Sequence, residues 1–310
     1  MPRLEKQITL PPLQSMAASK KKNWWRVLLS AWAPGGSHAE DRDAVVRFAL
    51  RRNYISLHHR GQLLGLIGIG HDGLPYASIH AKFAIGTTET DQRYLRFTTK
   101  GTASRTKPEL HYNLQKWIAN SLATLAPQHA FIDDIAAHND GVIDFETELP
   151  TDDRAPKRAP RVDLVSLEAD GERVKVVFWE TKLMLDPRIA QLATPELRQQ
   201  FAEYAEWLAS RTEEITEAYA SACRHLVAIH KMAVVAGRPI APLSPLVLKV
   251  AADGSLLDVD TVTRVLVRDD VNATDEQKQA LAALEAAGTI PVLRLVGDDC
   301  VLRKPGTAAG

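Results

Sequence analysis

The pattern of apolar and polar residues divides the chain into a short helical start, a β-rich stretch and a longer mixed part. Helical spacing over residues 24–33 and 40–51 predicts two short helices, separated by Pro-Gly-Gly-Ser. From Tyr54 the pattern alternates instead, and turn-rich segments separate its apolar stretches. The pattern therefore predicts a small antiparallel sheet over about residues 53–100.

The next segment combines one helix with three strands. Lys-Pro-Glu at residues 107–109 suits the first turn of a helix, and leucines and a tryptophan then recur at helical spacing as far as Leu125. Three strands are predicted after it, with the turn Ala-Asp-Gly-Glu joining the last two: residues 142–149, 161–167 and 174–182.

The remaining residues indicate helices and short strands. A helical pattern over 195–208 continues to about residue 236, and short apolar runs predict strands at 246–251 and 264–268. A helix over 273–287 and a strand over 291–296 complete a strand–helix–strand unit, which is typical of a parallel addition to a sheet. We therefore predict an α/β (α+β) fold, a mixed sheet flanked by helices and preceded by a small antiparallel β domain. The predicted units are residues 1–103 and 104–310, with a helical insert at about 209–236.

Composition restricts the function classes. The 310 residues are 45% hydrophobic, so the chain can bury a substantial core, and the formal net charge is zero. A protein that only coats nucleic acid would be more basic, but neutrality is compatible with a nuclease whose acidic ligands offset a basic surface. The apolar runs are far shorter than the roughly 20 residues that span a bilayer. Two cysteines without metal spacing are typical of reduced thiols in a cytoplasmic protein.

Candidate chemistry is concentrated at the end of one predicted hairpin. Alternate residues of the strand at 174–182 share one face, and the last two of them are Glu180 and Lys182. Asp163 lies near the start of the preceding strand. Because the turn at residues 169–172 makes the two strands antiparallel neighbours, the start of one lies beside the end of the other. The hairpin therefore predicts that Asp163 lies close to Glu180 and Lys182.

Two carboxylates and an amine at a strand end are suited to metal-assisted hydrolysis. Mg²⁺ prefers oxygen ligands, and Asp163 and Glu180 are sufficient to anchor one ion. The metal would lower the pKa of a bound water and stabilise charge on a phosphoryl oxygen. Lys182 would orient the water or offset the developing charge. Gln200 and Tyr204, four residues apart on the next helix, would face the same strand ends.

Asp163, Glu180-Thr181-Lys182 and Gln200…Tyr204 together resemble the PD-(D/E)xK nuclease superfamily, in the branch that has a Q-x-x-x-Y helix. The resemblance implies a restriction-endonuclease-like core of a helix, three antiparallel strands, a helix and a further strand. It also implies that Mg²⁺ or Mn²⁺ is held by the acidic pair and by the backbone carbonyl of Thr181, and that the lysine assists phosphodiester hydrolysis. Val162 precedes Asp163, so the literal Pro-Asp dipeptide is missing. The resemblance covers roughly residues 108–296 and leaves residues 1–100 unexplained.

Such families often add an upstream acidic residue. The strand at 142–149 has Asp144, Glu146 and Glu148, which strand alternation places on one face, and Glu109 in the preceding helix is a further candidate. Glu146 is preferred because it lies in the middle of the strand. Arg161 ends a basic segment that leads directly into the Asp163 strand, and it is a candidate contact for a phosphate backbone.

A Glu-x-Lys triplet alone is weak evidence for a nuclease site. It arises about once by chance in a chain of this length, and Glu276-Gln277-Lys278 is a second copy. That copy lies in a helical pattern without a partner aspartate, so we interpret it as a solvated face. The ten histidines have no ligand spacing and are interpreted as surface or satisfied core residues.

The sequence thus predicts a cytoplasmic, divalent-metal-dependent nuclease that acts on DNA, with RNA less favoured. Bacterial antiviral defence or mobile-element processing would suit such an enzyme. Residues 1–103 would form an accessory domain for substrate binding, oligomerisation or a protein partner, and no membrane partner is expected. The alternatives are a catalytically silent nuclease-fold module that binds nucleic acid or protein, and a phosphodiesterase that acts on nucleotides.

Overall fold

The computed structural model describes most of the chain, namely residues 3–37, 42–87, 92–98, 101–102, 113–150, 161–186, 195–288 and 290–303. Within these ranges the fold is mixed, with two sheets flanked by helices. The helices of the first half are α1 (Pro11–Ala18), α2 (Trp24–Ala31), α3 (Ala81–Ile85) and α4 (Leu114–Leu122). The predicted helix at 107–125 is therefore confirmed over α4, and residues 103–112 lie outside the described part.

The first sheet is an antiparallel meander in chain order. Its strands are β1 (Arg47–Arg51), β2 (Tyr54–His59), β3 (Gln62–Ile69), β4 (Pro75–His80), β5 (Tyr94–Thr98) and β6 (Gly101–Thr102). The prediction of a small antiparallel sheet is confirmed, although the sheet begins earlier than expected. Arg60 and Gly61, with φ of +47° and +75°, form the β2–β3 turn, where two residues of positive φ match the twist of the strands.

The helix predicted over 40–51 is wrong, because its second half is strand β1. Arg47 to Arg51 pair residue by residue with His58 to Tyr54 of β2. Val46 adds backbone hydrogen bonds to Ala31 and Ala33 next to α2. Valine and phenylalanine fit a half-buried pleated surface, so pairing with β2 outweighs the helical spacing of the sequence.

The second sheet is mixed, in the order β12-β11-β9-β8-β7. Its strands are β7 (Val142–Glu148), β8 (Arg161–Asp170), β9 (Arg173–Leu183), β10 (Leu257–Val259), β11 (Arg264–Arg268) and β12 (Val292–Leu295). The first three are antiparallel neighbours, as predicted. β11 is parallel to β9 and to β12, which confirms the parallel strand–helix–strand unit. The short β10, which was not predicted, pairs with the first half of β9.

The helices of the second half are α5 (Pro127–His138), α6 (Pro195–Ser210), α7 (Thr212–Val235), α8 (Pro245–Ala252) and α9 (Asp275–Ala287). The strand predicted over 246–251 is wrong, because these residues belong to α8. Ser244 accepts a hydrogen bond from the amide of Leu246 and Pro245 occupies the first turn, which is the usual start of a helix. Helix α5 was not predicted, and it covers one face of the second sheet through Phe131 and Ile135.

One apolar cluster spans both halves of the chain. It includes Trp25 and Phe48 from the first half and Phe178 and Tyr219 from the second, all nearly or completely buried. The segment predicted as a helical insert at about 209–236 corresponds mainly to α7. This helix buries ten side chains, Tyr219 among them, and therefore forms part of the shared core.

The two sheets are also linked by a buried ionic cluster around Asp144 of β7, here called the Asp144 cluster. Its carboxylate accepts hydrogen bonds from Lys6 Nζ at 2.5 Å, from Tyr219 at 3.1 Å, from Thr147 at 2.6 Å and from Arg51. Burial opposes ionisation of Asp144, but Arg51 and Lys6 hold the pKa of this carboxyl well below its usual range. Burial, reinforced by Arg51, lowers the pKa of Lys6 to about 7.

Replacing Asp144 by asparagine is expected to destabilise the fold far more than replacing Lys6 by methionine. Asp144→Asn leaves two buried cations without their carboxylate, which costs about 3–5 kcal/mol. Lys6→Met leaves Arg51 and Asp144 as a balanced pair, so we expect a loss of about 1 kcal/mol or less. Urea unfolding measures both, with Asp299→Asn in the partly exposed Arg303 pair as a near-neutral control. Equal losses for the Lys6 and Asp144 variants would contradict this account.

His58 on β2 makes stability depend on pH. Burial, with a smaller contribution from Arg51, lowers the pKa of His58 from 6.5 to about 3. Between these values the unfolded chain takes up a proton that the folded protein does not. This contribution to stability is therefore complete above about pH 6.5 and is lost as the pH falls towards 3.

We expect His58→Gln to flatten the pH dependence of unfolding. His58 accounts for about 2 kcal/mol of the stability that the wild type loses between about pH 7 and pH 5. Urea midpoints at both values measure the loss, and His71→Gln, at an exposed histidine, provides the control. A His58→Gln variant with the full wild-type pH dependence would show that His58 is not the responsible group.

Candidate active site

The strand registers bring three acidic residues to one level of the second sheet. Leu164 pairs with Trp179, and Asp163 and Glu180 are the next residues outward on β8 and β9. On the other side, Phe145 pairs with Leu164 and Thr147 with Val162, so Glu146 lies opposite Asp163. Glu146, Asp163 and Glu180, here called the acidic row, therefore occupy neighbouring strands, about 5 Å from one strand to the next.

Asp163 is 9% exposed, and its carboxylate is held by the backbone of β9. Asp163 Oδ2 accepts hydrogen bonds from the amide of Thr181 at 2.8 Å and from its hydroxyl at 2.9 Å. These two bonds fix the Asp163 carboxylate at the end of the hairpin, in direct contact with the Glu-Thr-Lys segment.

Glu180 and Lys182 form an ion pair at the same strand end. Lys182 Nζ lies 2.5 Å from Glu180 Oε1, and the side chains are 8% and 18% exposed respectively. Strand alternation places both on the side of Met184, which packs against Phe201 of α6. The hairpin therefore brings Asp163 and Glu180 to adjacent positions, while their carboxylates are bonded to Thr181 and Lys182 respectively.

The carbonyl of Thr181, a candidate metal ligand, is held by α5. Gln128 Nε2 donates to Thr181 O at 3.2 Å. Gln128 lies in the first turn of α5, directly after Pro127, so the start of this helix lies beside Thr181. Sequence reasoning missed Gln128. The proline at a first helical turn was the available signal.

Glu146 has an unusual backbone, with φ of +45° in the middle of β7. A residue with a Cβ carries a cost in this conformation. The distortion breaks the alternation of the strand: Thr147 donates to Asp144, although the two lie three residues apart. The prediction that Asp144, Glu146 and Glu148 share one face is therefore wrong. Asp144 belongs to the buried ionic cluster and Glu148 is exposed, while Glu109 lies outside the described residues.

Two cationic or titratable side chains approach Glu146 from neighbouring elements. Arg161 NH2 lies 3.6 Å from Glu146 Oε1, and His129 Nε2 of α5 lies 3.9 Å from it. Arg161 is 48% exposed, so its guanidinium is accessible from solvent. His129, which sequence reasoning assigned to the surface or core, is instead a neighbour of the acidic row.

Helix α6 contains Gln200 and Tyr204. Tyr204 is buried, with its ring 6.1 Å from that of Phe201. Phe201 packs with Met184 at the end of β9, so this part of α6 covers the face of Glu180 and Lys182. Gln200 lies in α6, and its side chain is outside the described part.

The donor set matches a hard divalent cation in its chemistry. Among the described residues, no group of three or more histidine, cysteine or acidic side chains is arranged to hold a metal ion. A site built from Asp163, Glu180 and the carbonyl of Thr181 needs only two such side chains. All three donors are oxygens, which Mg²⁺ and Mn²⁺ accept.

Comparison with known proteins adds no assignment, since no family model, curated protein or solved structure matches the chain. Within the described ranges, no helix is both long enough and apolar enough to cross a membrane.

The strain at Glu146 can be measured by comparing two substitutions. Glycine adopts a positive φ freely and alanine does not, so Glu146→Gly is expected to be about 1 kcal/mol more stable than Glu146→Ala. Glu148 lies in the same strand without a positive φ. At this position we expect the glycine variant to be less stable than the alanine variant. Urea unfolding of the four variants gives the comparison. The same order at both positions would argue against strain at Glu146.

Proposed function

We propose that this chain is a divalent-metal-dependent nuclease that hydrolyses phosphodiester bonds of DNA, with RNA less favoured. The acidic row carries the proposal, since the strand registers align Glu146, Asp163 and Glu180 with Lys182 two residues further along β9. An ordinary Glu–Lys pair on the surface would not require an aspartate that is bonded to the residue between the glutamate and the lysine. Here Asp163 accepts both the amide and the hydroxyl hydrogen of Thr181.

The order of elements supports the same assignment. Helix α5, the antiparallel strands β7 to β9, the helices α6 to α8 and, after the short β10, the strand β11 occur in this order along the chain. This is the order that the PD-(D/E)xK resemblance implies, and the restriction-endonuclease-like fold is part of the proposal. Asp144, the alternative upstream acid, is unsuited to catalysis because two cations neutralise it inside the core.

Each residue of the site has a distinct role in this proposal. Asp163, Glu180 and the carbonyl of Thr181 hold Mg²⁺ or Mn²⁺, which when bound lowers the pKa of water and polarises the phosphate. Lys182 orients the attacking water and offsets developing negative charge, and the ion pair with Glu180 keeps its amine at the strand end. Glu146 is the auxiliary acidic group.

Surrounding residues support substrate binding. Arg161 contacts a phosphate, and Gln200 and Tyr204 of α6 support the lysine or the substrate. Residues 1–103 serve as an accessory region for substrate, a second copy or a protein partner. A cytoplasmic role in bacterial defence or mobile-element processing completes the proposal.

Plasmid cleavage with Mg²⁺ or Mn²⁺ tests the enzyme. Asp163→Asn and Lys182→Met should each lower the rate about a hundredfold or more, because each removes a ligand or a charge that acts on the reacting phosphate. The matched controls are Glu276→Gln and Lys278→Met, which alter the exposed Glu-x-Lys triplet of α9. They should cleave like wild type.

A silent binding module gives a different result. It would bind nucleic acid or protein without cleavage by wild type under either metal, and Asp163→Asn would change nothing. Absence of cleavage of any nucleic acid would overturn the proposal. Cleavage of dinucleotides, with plasmid and polymeric single-stranded DNA both left intact, would instead identify a phosphodiesterase acting on nucleotides.

A further inference from the structure

A cleft of about 410 Å³ lies between the two sheets and adjoins the acidic row. One wall is formed by the N-terminal segment at residues 3–6 and by β1, β2 and β3. The other is formed by the end of β7 and the start of β8, including Glu146 and Arg161. Glu146 belongs both to this cleft and to the acidic row, so the cleft reaches the row at this residue.

The walls offer aromatic and apolar surface. Tyr94 and Leu63 line the cleft and remain 47% and 41% exposed. Tyr54 and Leu66 add further surface. A tyrosine ring beside a cleft is a platform on which any nucleobase can stack, because every base has a π face.

The lining also contains charged side chains of both signs. Its cations are Arg3, Lys6, Arg51, Arg52 and Arg161, and its acids are Glu5, Glu146 and Glu148. Each cation has an acidic partner: Arg3 pairs with Glu217, Lys6 and Arg51 with Asp144, Arg52 with Glu5, and Arg161 with Glu146. Lys6 and Arg51 are committed to the Asp144 cluster, whereas Arg161 is 48% exposed and lies beside the acidic row, so it is the cation best placed to contact a phosphate.

The volume of the cleft restricts the kind of nucleic acid that it can bind. A volume of about 410 Å³ lies at the small end of ligand sites. It accommodates one nucleotide, whereas a duplex would remain at the rim with its bases paired and out of reach of Tyr94. Stacking on this ring therefore requires an unpaired base.

We infer that this cleft binds one unpaired nucleotide of a single-stranded nucleic acid, with its base on Tyr94 and its phosphate on Arg161, next to the acidic row. This inference rests on the proposed function and gives it a substrate class, namely single strands, unpaired ends or extruded nucleotides. The N-terminal half of the chain then supplies the base-binding surface, and the second sheet supplies the hydrolytic residues.

Binding without metal separates this inference from the nuclease proposal. The probe is a labelled single-stranded DNA of about ten nucleotides, compared by fluorescence anisotropy in EDTA with a duplex of the same sequence. Tyr94→Leu should weaken single-strand binding about tenfold, because it removes the ring but keeps apolar bulk. Tyr94→Phe keeps the ring and should bind like wild type.

The contact between Arg161 and phosphate is tested separately, by the salt dependence of binding. Arg161→Gln should reduce the slope of log Kd against log salt by about 0.7, the effect of one lost phosphate contact on a single strand. Arg294→Gln, at an arginine that is 38% exposed and pairs with Asp269, provides the control and should leave the slope unchanged.

The outcomes are distinct. Duplex binding as tight as single-strand binding, with no effect of Tyr94→Leu, would overturn the inference even if Asp163-dependent plasmid cleavage persists. Single-strand binding that depends on Tyr94, without cleavage by wild type under either metal, would support the cleft and overturn the nuclease. Failure to bind any nucleic acid would overturn the inference.

Discussion

A carboxylate that is buried between two cations sets the geometry of this protein. Asp144 of β7 binds Lys6 of the N-terminal segment, Arg51 of β1 and Tyr219 of α7. Removing charges from water is costly, and the hydrogen-bonded partners of Asp144 offset that cost. The N-terminal segment, the first sheet and α7 must therefore meet at β7 in one arrangement. The cleft beside Glu146 exists because this arrangement holds the two sheets together at one end.

The parts of the structure that follow from local rules were predictable from sequence. The turn at residues 169–172 and the alternation along β9 fix an antiparallel hairpin, and from that hairpin the proximity of Asp163 to the Glu180 end follows directly. The parallel pairing of β11 with β12 followed from the strand–helix–strand order. Local propensity and the global fold agree in these segments, so their structure can be predicted from the sequence.

The remainder depended on contacts that the sequence does not display. Residues 40–51 have helical spacing, but a neighbouring strand offers backbone partners to half of them. A short apolar run such as 246–251 fits helix or strand equally, and only Ser244 and Pro245 indicated a helix start. The positive φ of Glu146 is held by surrounding structure and leaves no pattern in the sequence. It separates Glu146 from Asp144, so one carboxylate is buried in the core and the other faces the cleft.

The path of the N-terminal segment has a practical consequence for handling the protein. Residues 3–6 form part of the cleft wall, and Lys6 is fixed inside the Asp144 cluster. A peptide fused ahead of Arg3 would therefore be attached close to the cleft wall. An affinity tag at that end would compete for the same space. A tag on the other terminus, or one cleaved close to Arg3, avoids this interference.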